Sequence, residues 1–170
     1  MVDIDTKGFD RLNRALTRLK ELFEKRDPLT KNIAEILLAG VQENFLQSGR
    51  ENGGSGTWKP LSAVTLARRG KRKKNSPVLR VSNRLYQSLT IANDNNTATV
   101  GTNVKYAAVH HFGAKKGEFG TYRGPSGTWK PRPIPWGDIP ARPYMHTTDR
   151  EIEEICDFIE EMINKITKEA

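Results

Sequence analysis

Apolar residues recur at spacings of three and four near the start of the chain. Phe9, Leu12, Leu16, Leu19 and Phe23 fall on one stripe, which predicts an amphipathic helix over about residues 6–26. Asp27-Pro28 ends it and starts another, because Asp27 can cap and Pro28 suits the first helical position. The second helix would bury Leu29, Ile33, Ile36, Leu37, Val41 and Phe45 and stop near Ser48-Gly49. Two such helices in series most simply form a helical hairpin over a sheet.

The pattern then shortens. Gln47–Gly56 reads as a Gly-rich linker, and Ser62 as the cap of a short helix holding Val64, Leu66 and Ala67. Pro77–Val81 reads as a short strand, followed by a helical turn over Asn83–Ser88 that Ser82 caps. Thr90-Ile91-Ala92 and Thr97–Val100 alternate around Asn93–Asn96, whose residue types tolerate left-handed backbone, so they predict a hairpin. Gly101-Thr102-Asn103 breaks its second strand. A short helix follows, with Tyr106 and His110 on it, Thr102 or Asn103 as its cap and Gly113 as its terminator.

Ala114 to His146 holds six of the nine prolines, with Phe119, Tyr122, Trp129, Trp136 and Tyr144 among them. A disordered linker carries few aromatics, and long structureless loops are uncommon unless functional. Two readings stay open: a long hairpin folded on its own core, or an arm over 114–138 that packs on a neighbouring subunit through Phe119, Tyr122, Trp129 and Trp136. Its strands would be Phe119–Arg123 and Thr128–Ile134. Arg142, fixed between Pro140 and Pro143, should have a defined partner, either a helix C-terminus or backbone carbonyls. Thr148 to Glu151 is a capping box, opening a last helix to about Ile166. Cys156 falls on the apolar side of that helix and reads as a buried, inert thiol. The hexapeptide SGTWKP occurs at Ser55–Pro60 and again at Ser126–Pro131, each copy a turn with an aromatic anchor.

These elements give one α+β domain over residues 1–170. Two N-terminal helices and a C-terminal helix pack on a small, mostly antiparallel sheet, with a long Pro/Gly/aromatic arm. Its 170 residues are enough for a sizeable core. No stretch reaches the ~20 apolar residues that span a membrane, and the first residues lack the apolar core of a signal peptide.

Charge changes the picture. Residues 149–170 carry eight acids against three bases, a net of −5, so the rest carries +13 of the total +8. Such asymmetry suits a nucleic-acid surface or head-to-tail contact between identical subunits. Arg68, Arg69, Lys71, Arg72, Lys73 and Lys74 form a basic run that reads either as a solvated loop or as a contact for DNA or an acidic partner. No aromatic interleaves it, so base stacking is not indicated.

Catalytic parts are missing. His110 and His111 are adjacent, so on a helix they diverge by about 100° and do not share one ion, and no carboxylate or thiol completes a set with His146. There is no GxSxG and no phosphate-binding glycine loop. We therefore expect no catalytic, metal or cofactor site.

Four blocks in order carry a resemblance: TWKPLSAVTLARR (Thr57–Arg69), PVLRVSNRLYQSLT (Pro77–Thr90), VGTNVKYAAVHHFG (Val100–Gly113) and IPARPYMH (Ile139–His146). With the flanking helices they make the chain similar to the phage virion morphogenesis family, the tail-completion and head-tail joining proteins of Mu-like tailed phages and prophages. Asn83 stands where that pattern usually has glycine, His111 where glutamine is common, and Lys115–Pro135 lies outside the resemblance. The resemblance implies a structural subunit of the virion, acting at the tail end or head-tail joint and assembled in the host cytoplasm. It also implies a homo-oligomer, of which a ring is one form, whose partners are tail and head-tail connector proteins, with no enzyme activity and no cofactor. Tyr106, His110, Phe112, Gly113, Arg142 and Tyr144 would then be structural corner or interface residues. The alternative is a basic DNA-binding accessory protein using the 68–74 loop.

Overall fold

A computed structural model describes residues 6–51, 54–55, 57–69, 76–115, 121–123, 125–131 and 138–169. Lys71, Arg72, Lys73, Lys74, Phe119 and Trp136 lie outside the described residues. Helices α1 (Thr6–Glu24) and α2 (Asp27–Leu46) are followed by a small ribbon, β1 (Arg50–Glu51) with β2 (Gly54–Ser55). Next come α3 (Ala63–Arg68), α4 (Arg84–Gln87), the hairpin β3 (Leu89–Asn93) and β4 (Ala98–Thr102), and α5 (Ala107–Phe112). The chain closes with the ribbon β5 (Thr121–Arg123) and β6 (Trp129–Pro131), then α6 (Asp149–Lys168). The fold is α+β, and all its described strand pairs are antiparallel. Among the described residues no helix is long and apolar enough to cross a membrane.

The core forms where α2 lies on the β3–β4 hairpin, whose register runs from Leu89–Thr102 to Asn93–Ala98. Val41 and Phe45 of α2 meet Trp58, Leu85, Leu89, Val104, Ala107 and Tyr144 there. Phe45 is fully buried, edge-on to Trp58 and Tyr86 at 5.7 and 5.8 Å and tilted against Tyr144 at 4.9 Å. Edge contacts of this kind let the positive ring edge meet the negative ring face. Trp58, in the first SGTWKP copy, is a core anchor whose Nε1–H donates to the Pro143 carbonyl at 2.9 Å.

Several expectations are corrected. The helical hairpin does not form over the sheet: the principal packing partner of α1 is α6, while α2 covers the hairpin. On α1 the expected stripe is mostly open. Leu19 is half-buried, as are Ala15 and Leu22, but Phe9, Leu12, Leu16 and Phe23 are each more than half exposed. The Gly-rich linker contains the β1–β2 ribbon, because Ser48 and Gly49 take left-handed angles and turn the chain straight back from α2. Pro77–Val81 is a turn, not a strand. The Arg80 N–H bonds the Pro77 carbonyl and Leu79 adopts φ +63°. Cys156 is exposed, on the solvent side of α6.

Capping departs from expectation too. Ser62 does cap α3, accepting from the Thr65 N–H at 3.3 Å. At α4, however, the N-cap position is Asn83, not Ser82, and its φ of +55° explains a site where glycine is usual. At α5 the Thr102 hydroxyl accepts the Val104 N–H, and the helix starts later, after Tyr106. Asp27 does not cap α2; it is the first residue of that helix. Its free N–H is met by Asn95 Oδ1 at 3.0 Å, from 68 residues away. Asn95 Nδ2 also donates to the Glu24 carbonyl at the end of α1, and the Thr30 hydroxyl donates to the Asp94 carbonyl. The Asn-rich tip thus turns the hairpin and caps the α1–α2 corner at once.

Candidate interaction site

The corner after β4 is built by two close approaches. Gly113 ends α5 at φ +80°, and an added Cβ would lie 2.7 Å from the Ala141 nitrogen and 2.8 Å from the Ile139 carbonyl. That glycine lets the segment from Ile139 to His146 run back alongside α5. Ala114 and Ile139 exchange backbone hydrogen bonds, and the Arg142 N–H donates to the His110 carbonyl at 2.9 Å. Tyr144 then enters the core, its hydroxyl donating to the Ala107 carbonyl at 3.0 Å. Burial pushes that phenol up to about 12.

The two histidines do different work. His111 Nδ1 accepts the N–H groups of Tyr144 and Met145 at 3.3 and 3.4 Å, which places the ring proton on Nε2. His110 sits edge-on to Tyr106, and its buried Nδ1 has no hydrogen-bond partner among the described residues. Burial, helped by Arg142 for His110 and by His146 for His111, holds both below the usual imidazole range. Phe112 projects into solvent at 78% exposure and Tyr106 is partly exposed. Tyr122 and Trp129 lie on β5 and β6.

Arg142 is 4% exposed, and its guanidinium donates to the carbonyls of Lys59 and Pro140. It lines a cleft of about 340 Å³ together with His110, Arg69, Tyr106, Leu79 and Leu85. Burial first, then the nearby Arg69, lowers the affinity of its guanidinium for the proton. Arg68 and Arg69 therefore part company: Arg68 is exposed, whereas Arg69 is half-buried, donates to the Ser76 carbonyl and lines the cleft.

A second buried arginine was not singled out by sequence. Arg50, 6% exposed, pairs with Glu151 at 2.6 Å and donates to Asn44 Oδ1 and the Gly40 carbonyl. Glu151 also accepts from the Thr148 N–H and hydroxyl at 2.7 and 2.6 Å, the capping arm the sequence predicts. Burial opposes ionisation of this carboxyl, but its bonds from Thr148 and Arg50 outweigh that and hold it below its usual range. Asn44 Nδ2 reaches the carbonyls of Tyr144 and His146, and a ring nitrogen of His146 meets the Arg50 carbonyl. Gly40 was the visible signal. A glycine inside an apolar helix costs about 1 kcal/mol, so it asks for a close neighbour; a Cβ there would meet Glu151 at 2.6 Å.

Residues 8–164 match the model of the phage virion morphogenesis family. The chain belongs to that family. It is also 32% identical over 168 residues to "Mu-like prophage FluMu G protein 2" of Haemophilus influenzae, covering 99% of this chain and all of that relative. No solved structure matches. A structural or assembly part in the phage virion follows from family membership. The corner, the returning Ile139–His146 segment and the Arg50–Glu151 clamp all lie within the matched span.

Proposed function

We propose that this protein acts in tail completion or head-tail joining as a homo-oligomer, at the tail end or the joint of the virion. It works as one unit, by burying surface against copies of itself and against tail and connector proteins, and not by catalysis. The observation that carries this reading is the apolar face of α1, with Phe9, Leu12, Leu16 and Phe23 each more than half exposed. An apolar helix face left open on a single chain is stabilised by cover, because each large side chain removed from water is worth about 1.5–3 kcal/mol. Phe112, also exposed, extends the same logic to a second contact.

The test is the double change Leu12→Glu and Leu16→Glu. Helical content and cooperative unfolding should persist, while the mass in solution falls to that of one chain and phage carrying the variant release unjoined heads and tails. Infectious particles at normal yield from that variant would refute the reading.

A further inference from the structure

A buried guanidinium without a carboxylate is expensive, since desolvation of an ion costs several kcal/mol and carbonyls return only part of it. Arg142 is in that position: among the described residues its acceptors are the carbonyls of Lys59 and Pro140. Three of the five N–H groups an arginine carries are thereby used, and the described residues leave two without an acceptor. The same cleft holds a second guanidinium, Arg69, and the unpartnered His110 Nδ1. Its remaining walls are mostly apolar, from Leu61, Leu79, Val81, Leu85 and Tyr106, with Thr65 and Ser82 as the polar exceptions. Basic groups gathered in one cleft with no acid among its lining residues are the negative image of an anion.

We propose that this cleft is a carboxylate-binding site, taking an acidic side chain that a partner protein presents beside an apolar residue. The planar guanidinium matches a carboxylate in a two-point contact. The apolar walls suit the methylenes and neighbour of an acidic side chain. They do not suit a nucleic-acid phosphate, which is flanked by polar sugars and is met by exposed cations. Charge points the same way, because the body outside residues 149–170 carries +13. An acidic partner surface is thus drawn to this face before the specific contact forms.

The site is tested on the full chain by NMR, following the Arg142 Nε–H and the His110 ring while isovalerate, isovaleramide or inorganic phosphate is added. Isovalerate should give saturable shifts at both groups, and the neutral amide should bind about tenfold or more weaker, since only the carboxylate makes charge-assisted bonds. Arg69→Gln should weaken isovalerate several-fold, and Arg142→Gln should abolish it. If Arg142→Gln does not fold, the amide comparison and Arg69→Gln decide. No shift with isovalerate, an equal response to the amide, or no effect of Arg69→Gln would overturn the proposal. Phosphate binding there as tightly as isovalerate would overturn it in favour of a phosphate site.

Discussion

Arg50 and Arg142 are buried to nearly the same extent, 6% and 4% exposed, yet their surroundings are opposite. Arg50 has a carboxylate at 2.6 Å, an amide oxygen and a carbonyl, all from its own chain. Among the described residues Arg142 has carbonyls alone, and it stands beside another arginine. The first site is closed in charge: α2, β1 and α6 each contribute a group, and a carboxylate of the same chain balances the guanidinium. The second is open at a cleft. Burial of a charge in this fold therefore serves two ends, internal locking in one place and recognition in the other.

Breaking the closed site should have the largest effect. Glu151→Ala leaves Arg50 buried and unpaired and removes the α6 capping arm, so urea unfolding should show a loss of about 3–5 kcal/mol. Protonation makes part of the same break. The Glu151 carboxyl lies below its ordinary 4.5 in the fold, so its contribution is present above pH 4.5 and is lost as pH falls through the lowered value. Glu151→Ala should remove its share of the acid-side slope.

The open site answers to a different pH window. His110, beside Arg142, and His111 lie below their ordinary 6.5, so the fold favours their neutral forms. Their contribution is present above pH 6.5 and is lost as pH falls from there, and His110→Gln should remove its share of that milder slope. Arg142→Met should cost less than Glu151→Ala, about 1–2 kcal/mol in urea unfolding, because carbonyls lose donors but no carboxylate is stranded. The smallest change belongs to Arg68→Gln. Arg68 is exposed, and its replacement should move stability by less than about 0.5 kcal/mol. If it matches Arg142→Met, the distinction between buried and exposed arginines fails.

Local rules made much of this legible. The periodicity of α2, the alternation of β3 and β4, the Thr148–Glu151 arm and Gly113 all depend on neighbours within a few residues, and each is found. What periodicity cannot tell is which apolar stripe the chain itself covers. Phe9, Leu12, Leu16 and Phe23 obey the same spacing as the α2 residues, but α1 is partly covered only along Ala15, Leu19 and Leu22 among its described side chains. Pro77–Val81 misled because β-branched and apolar residues fit a strand, while Leu79 accepts left-handed backbone in the cleft wall. Partners far apart in sequence were invisible for the same reason. Asn95 reads as turn chemistry until the α1–α2 corner is seen against it, and Arg50 reads as a linker residue until Glu151 arrives.

That separation also fixes an order of events during synthesis. Arg50 leaves the ribosome 101 residues before Glu151, a wait of roughly 5–20 s at ordinary elongation rates. The hairpin tip that holds the start of α2 emerges well before then, so α2 and the hairpin can settle early. The clamp cannot close until the beginning of α6 is made. Nascent chains shorter than that should be open to proteases around β1, and the arrival of α6 is what shuts them.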